Sequence, residues 1–504
     1  MLSKICFAAS LFPFVLLAGA WGQKPPAIEL KIDASAKGTA FPHYWEQMFG
    51  SGRAILSLRE GYRKDLRTVK QATGFTYVRF HAIFHDEAGF FDLDANGKPI
   101  YNFSYVDQIY DGLLENGVKP FVELSFMPQK MASDPKMLHT FWYKQNISPP
   151  KDYAMWDAMI EAFTRHLVER YGIDEVSQWY FEVWNEPNID FWGGDPKLEA
   201  YLKLYDHTAR DVKRVDGRLR VGGPATARVE WTPEFLAYCK QHDVPVDFLS
   251  THVYGNDSSQ DVFGTKEVIP QDRMVFRAVS KVHEQIKASP YPQMPLIMSE
   301  YNATYLTQPE VTDSTFMGPW LANTIRQCDG LTAMMSYWSF SDVFEEQGVV
   351  KTPFYGGYGL IAENNIPKPA LNAFAMLHEL GETRLHVDSD SALVTRRKDG
   401  AIVAALWNYA PPSAEPVTGA SKSFVLKLAG AGKHARITRL DATHGNVNPA
   451  FAAMGKPANP SQAQIIALRE AGKPAAAEVR TLEKNGELKI DVPSQGLVVV
   501  EIVP

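Results

Sequence analysis

Cysteine is scarce, with three residues in 504. A disulfide-built scaffold is thereby excluded, and stability must come from a hydrophobic core. Cys6 lies in an N-terminal apolar stretch, which leaves Cys239 and Cys328 as the pair whose redox state the sequence does not fix. Basic blocks are missing as well, and the net charge is −7. Nothing here invites a nucleic acid. Beyond the N-terminus no apolar run is long enough to span a bilayer. There is no HExxH, and the histidines at 43, 81, 85, 252 and 283 form no tight ligand motif, so no metal site is expected. FGSGRA (49–54) has neither the dinucleotide spacing nor a phosphate-loop lysine, and no serine elbow is visible.

Apolar residues and aromatics are plentiful. The chain is 45% apolar, with 11 Trp, 21 Tyr and 28 Phe. That suffices for a large core plus a smaller unit, and rings near polar loops suit the flat faces of sugars. The opening MLSKICFAASLFPFVLLAGAWGQ has Lys4, an apolar run, then Ala18, Gly19 and Ala20. It reads as a secretory signal over residues 1–22 and predicts a secreted or periplasmic bacterial protein with no stable membrane insertion.

Short apolar runs alternate with longer amphipathic ones from residue 41 to 382. Strands are predicted at 43–50, 76–81, 118–124, 176–184, 219–223, 246–252, 294–300 and 331–338. Helices fit 61–74, 105–117, 153–172, 198–215, 233–242, 271–287, 316–327 and 370–380, several of them ending at glycine. Eight strand–helix units point to an α/β fold, a (β/α)8 barrel. From 383 to 504 short alternating runs separated by Gly, Pro, Asn and Asp predict an accessory β-sandwich of antiparallel strands. PAIELKIDAS (26–35), within the segment 23–40, shares that alternation and is expected to join the sandwich. Residues 449–464 read as a surface loop.

Reactive groups of a parallel barrel gather at the C-terminal ends of its strands. Glu186, in FEVWNEPNIDFW, follows the fourth strand, and Glu300, in IMSEYNATY, closes the seventh. Two carboxyls at one mouth are the minimum machinery for glycoside hydrolysis. Trp184, Phe191 and Trp192 would keep Glu186 dry and protonated, as a general acid requires, while polar neighbours suit an ionised Glu300. Asn185 is placed to bond a sugar hydroxyl. His252 and Tyr254 end the sixth strand, Arg79 and His81 the second, and Trp338 the eighth. His43, assigned to strand one, joins them as a binding residue, with Tyr301 and Arg79 in support. Glu345 and Glu346 read as a solvated acidic pair.

FGSGRA, VRFH, VWNEPN, THVY, MSEYN and YWSFSDVFEE follow one another in the order found in glycoside hydrolase family 39. The chain resembles that family, which holds β-xylosidases and α-L-iduronidase, over residues 27–504. The resemblance implies a retaining exo-acting O-glycosidase working by double displacement, with Glu186 as acid/base and Glu300 as nucleophile. It also implies sugar contacts from Asn185, His252, Tyr254, His43 and Trp338, an oligosaccharide substrate and no cofactor. A β-xylosidase is the default. MSEYNATY (298–305) and SFMPQKMAS (125–133) differ from typical xylosidases of the family, which makes arabinose-containing glycans the alternative. A carbohydrate-binding protein without catalysis is the remaining reading.

Overall fold

The computed structural model describes residues 26–413, 419–429, 432 and 434–503. The N-terminal stretch read as a secretory signal lies outside the described residues.

Eight parallel strands close into a barrel in simple sequential order. They are β1 (Met48–Ser51), β2 (Tyr77–Phe80), β3 (Lys119–Leu124), β4 (Tyr180–Val183), β5 (Arg220–Thr226), β6 (Phe248–Tyr254), β7 (Leu296–Asn302) and β8 (Met334–Tyr337). Pairing of Ser336 with Met48 and of Tyr337 with Phe49 closes the ring. The principal helices outside it are α1 (Glu60–Thr73), α2 (Ser104–Glu115), α3 (Tyr153–Tyr171), α4 (Lys197–Val215), α5 (Thr232–Gln241), α6 (Gln271–Lys287), α7 (Met317–Cys328) and α8 (Pro369–His378). Each of the eight predicted strands and eight predicted helices has its counterpart. Gly74 stops α1 in the left-handed conformation at φ 66°, as its position at the end of the amphipathic run suggests.

The barrel interior is layered. Met48, Phe121, Phe248, Ile297 and Met334 pack with Tyr77 and Tyr180 into an apolar plug. One pleat higher, two residues on in β2, β3 and β4, stand Arg79, Glu123 and Glu182. Gly50 is required at this height, because a Cβ there would lie 2.1 Å from the Trp338 ring.

Two further sheets form the accessory unit. Ile28–Asp33, Lys422–Ala429 and Glu487–Val492 make one. The other has seven strands, among them Ile402–Asn408, Gly496–Val503 and His434–Leu440. Leu30, Phe424 and Ile490 meet Val394, Leu406 and Val500 in a core between them. The opposite face of the larger sheet carries Trp407, Leu440 and Leu497 into the main core beside α7. Ile28–Asp33 pairs in parallel with Lys422–Ala429, unlike the antiparallel pairs expected from the alternation. Period-two alternation reports which face is buried and carries no strand direction. Residues 449–464 are also more ordered than a loop. Helices Asn448–Ala453 and Gln462–Ala471 occupy much of the stretch, the second opened by a capping box between Ser461 and Gln464. Cys239 and Cys328 are separate, buried free thiols.

A buried ion cluster ties the segment after β8 to the start of α8. Lys368 Nζ lies 2.6 Å from Asp313 and 2.8 Å from Asp342, and it donates to the Gly357 carbonyl at 2.8 Å. The two aspartates also accept from the backbone N–H groups of Gly356 and Gly359. Removing one partner of a buried ion pair leaves an uncompensated charge. The change Lys368→Met should therefore lower the unfolding free energy by about 3–5 kcal/mol in urea titrations. A loss below about 1 kcal/mol would show that the aspartates need no cation.

Candidate active site

Arg79 projects from β2 into the barrel and is fully buried. Its Nε donates to Glu182 at 2.6 Å and its Nη1 to Glu300 at 2.6 Å. Nη2 donates to Asn185 Oδ1 at 2.9 Å and lies 2.7 Å from Glu123. Burial alone would weaken the charge on this guanidinium, but Glu182, Glu123 and Glu300 outweigh it and raise the pKa. Because the Asn185 carbonyl is taken by Arg79, its NH2 group is the part left to offer hydrogen bonds in the cavity it lines.

Glu300 receives a second donor, the Tyr254 hydroxyl, at 2.6 Å. Both close partners donate to it, the guanidinium having no acceptor of its own, which suits a carboxylate. His252 and Glu300 are register partners of β6 and β7, so adjacent strands deliver them to one level. His252 Nδ1 stands 3.0 Å from Glu186 and 3.8 Å from Glu300.

Glu186 is built differently. Trp184 and Glu186 both adopt left-handed backbone conformations, at φ 70° and 43°, a strain that local packing must hold. Trp184 Nε1 donates to the Phe191 carbonyl at 2.9 Å, and its ring meets Trp192 edge to face. The Glu186 N–H donates to the Ala225 carbonyl of β5. Burial pushes its carboxyl up to about 7, while Arg79 and His81 pull back only at longer range. Oxygens of Glu186 and Glu300 and a nitrogen of His252 all lie within 4.8 Å of one another.

Burial also holds His252 down, to about 4, so the ring is neutral at neutral pH. A neutral imidazole has one N–H and one lone pair. It can donate to a Glu186 carboxylate or accept from a Glu186 carboxylic acid. Ser299 Oγ, 3.1 Å from Nε2, matches either tautomer because a hydroxyl both donates and accepts.

The cavity above these groups measures about 310 Å3. His81 and Trp338 line its wall, with ring centres 4.7 Å apart. His81 Nδ1 is 2.6 Å from Glu123. Burial works against the charged ring, but Glu123 overcomes it and raises the His81 pKa. Its other nitrogen lies 3.8 Å from both Glu300 and Glu346. Burial pushes Glu346 up to about 8.

Three expectations need correction. His43 is remote from the cavity. β1 begins only at Met48, so His43 precedes the strand and sits at the opposite end of the barrel, bonded to Glu46 and the Leu380 carbonyl. Tyr301 faces outward, since it neighbours inward-facing Glu300 on a strand; its ring stacks on Trp320 and meets Tyr337. Glu345 and Glu346 are not a solvated pair. Glu345 is buried against Arg53 and Arg59, and Glu346 lines the cavity. Reading the loop after β8 as closing over the mouth would have found Glu346, but no local periodicity signals that closure.

A parallel barrel presenting two close carboxyls at the C-terminal ends of β4 and β7 defines a glycoside hydrolase. The chain belongs to glycosyl hydrolases family 39, whose profile matches residues 28–489. It is 37% identical over 451 residues to the β-xylosidase of Geobacillus stearothermophilus, covering 87% of this chain and 88% of that protein. The crystal structure of a monomeric β-xylosidase from Caulobacter crescentus CB15 is 33% identical, with a TM-score of 0.86 over 95% of this chain and all of that one. The family 39 enzyme of Xanthomonas axonopodis pv. citri superposes with a TM-score of 0.87 at 32% identity, over 97% and 100% of the two chains. The chain is accordingly a retaining O-glycosidase with an oligosaccharide substrate. Among the described residues no helix is long and apolar enough to cross a membrane.

Nitrogen-15 chemical shifts should report a neutral His252 ring from pH 8 down to 5, with protonation near pH 4. An imidazolium at pH 6 would contradict this electrostatic account.

Proposed function

We propose that the protein is a β-xylosidase that removes xylose from the non-reducing end of xylo-oligosaccharides, with Glu186 as acid/base and Glu300 as nucleophile. The observation carrying the mechanism is the proximity of the two carboxyls, whose oxygens come within 4.8 Å. Double displacement uses carboxyls about 5–5.5 Å apart, whereas an attacking water needs about 6.5–9.5 Å.

Glu300, held by Arg79 and Tyr254, attacks the anomeric carbon as Glu186 protonates the departing oxygen. The glycosyl–Glu300 ester then yields to water activated by Glu186, now a carboxylate. The Asn185 NH2 group bonds the sugar 2-hydroxyl. Trp338 supports the ring face, and His81 and Glu346 address the remaining hydroxyls. A compact cavity closed below by the Arg79 layer suits one terminal sugar better than the middle of a polymer. Five acids line it: Glu186, Asp190, Asp257, Glu300 and Glu346. With Glu186 and Glu346 held protonated toward neutral pH, these groups offer hydrogen bonds to the hydroxyls of a neutral pentose. The relatives from Geobacillus and Caulobacter, both β-xylosidases, support the same sugar. The N-terminal sequence supports export to the periplasm or beyond.

The activity is tested with aryl glycosides and with xylo- and arabino-oligosaccharides. Xylose should be the first product, in its substrate's anomeric configuration by proton NMR. Preferential release of arabinose, or of a disaccharide, would overturn the substrate; the opposite anomer would overturn the mechanism. Glu300→Ala should nearly abolish turnover. Glu186→Ala should cost about 10²–10⁴-fold on poor leaving groups and much less on activated ones.

The pH profile supplies a separate check. The first step needs Glu186 protonated, so kcat/KM should fall as pH rises through about 7. The alkaline limb should disappear in Glu186→Ala with an activated leaving group.

A further inference from the structure

At the opposite end of the barrel from the catalytic cavity, His43, Glu46 and His378 converge. Their ligand atoms lie within 4.8 Å of one another. His43 Nδ1 stands 2.5 Å from Glu46 Oε1, and His378 Nδ1 stands 2.8 Å from the same oxygen. Glu46 is 3% exposed, and its other oxygen has no hydrogen-bond partner among the described residues. Two imidazoles therefore converge on one buried and under-satisfied carboxylate.

The outer nitrogen of His43 decides how this cluster can be filled. Nε2 is 2.9 Å from the Leu380 carbonyl, which can only accept, so Nε2 carries a hydrogen. In the neutral ring Nδ1 is then a lone pair facing the carboxylate at 2.5 Å. That contact is repulsive unless a cation, either a proton or a metal ion, stands between them. A histidine whose outer N–H is anchored to a backbone carbonyl is oriented as metal-bound histidines are. Trp45, stacked on His43 with ring centres 4.5 Å apart, further fixes the ring.

We propose that His43, Glu46 and His378 form a binding site for a divalent transition metal ion of the zinc class. Two imidazoles and a carboxylate favour zinc over calcium or magnesium, which prefer all-oxygen shells. The fourth position is open to water on the exposed side of His378. Ligand atoms around tetrahedral zinc are about 3.3 Å apart for metal–ligand bonds of about 2.0–2.1 Å. The two imidazole–carboxylate spacings of 2.5 and 2.8 Å need to widen by less than about 1 Å, and His378, on the last turn of α8, has the freedom to supply that movement. The ion would clamp the segment entering β1 to the end of α8. The same junction already carries the Phe41 N–H to Glu382 carbonyl bond at 2.8 Å. This role is structural and lies apart from turnover.

Zinc is titrated into chelator-treated full-length protein by calorimetry, with calcium as the comparison ion. One zinc per chain is expected, and zinc should raise the thermal midpoint. Affinity should fall about tenfold or more in His378→Ala and in Glu46→Gln, while Glu300→Ala binds as the wild type does. His378→Ala should turn over an aryl glycoside at the wild-type rate. Because Glu46 is buried and its variant can misfold, His378→Ala carries the test alone if needed. Failure to take up stoichiometric zinc, or uptake insensitive to His378→Ala, overturns the proposal and leaves a proton as the bridging cation. Uptake lost in Glu300→Ala overturns it too, by moving the ion to the catalytic cavity.

Discussion

A single buried guanidinium, that of Arg79, organises the site. It reaches Glu182, Glu300, Glu123 and Asn185 from the centre of the barrel. A rigid planar fork with five N–H donors can hold several acceptors in fixed directions, which a lysine ammonium cannot. Desolvating such a group is expensive, and only a surround of carboxylates makes it tolerable. Glu123 also raises the pKa of His81, so the guanidinium is not alone in answering the acids of this layer.

The difference between Glu186 and Glu300 follows from that layer. Glu300 lies within its reach and is pinned by Arg79 and Tyr254. Glu186 stands outside, on a strained turn backed by Trp184 and Trp192, and feels Arg79 only at a distance. Two buried glutamates a few ångströms apart thus receive different treatment, Glu300 being bonded by a guanidinium and a hydroxyl and Glu186 facing only the His252 ring. Such divergence lets a carboxyl pair divide into nucleophile and acid. It also explains why the apolar plug lies directly beneath: without Met48, Phe121, Phe248 and Met334, water entering from below would screen the contrast.

Much of the barrel was legible because strand–helix alternation is a local, repeated signal. The two glutamates were legible because both close a strand in a fold whose strand ends carry chemistry. Errors arose where the signal was not local. An aromatic run blurs the start of β1 around His43, and a shift of a few residues moves a side chain to the other end of the barrel. Tyr301 faces away from the cavity because adjacent strand residues point to opposite faces, and only the position of Glu300 settles which faces inward. Glu346 depended on a loop whose path is set by Arg53 and Arg59 on Glu345 and by the Lys368 cluster. His43 and Glu46 meet His378 only through closure of the whole ring, which no spacing motif can announce.

In the proposed cycle Glu186 loses and regains a proton, and the environment of His252 lets the imidazole answer both states while staying neutral. An imidazolium there would add a cation to a desolvated site, and burial forbids it over the working range. A neutral ring between Glu186 and Ser299 has a second option. When Glu186 holds the proton, Nδ1 can accept and Nε2–H can donate to Ser299. When Glu186 is a carboxylate, the other tautomer reverses both bonds, and the serine hydroxyl turns from acceptor to donor. Replacing Ser299 by a pure donor or a pure acceptor would favour one tautomer and hence one half of the cycle. A retaining mechanism asks the same carboxyl to be acid and then base, and a hydroxyl behind the imidazole is the smallest group that supports both.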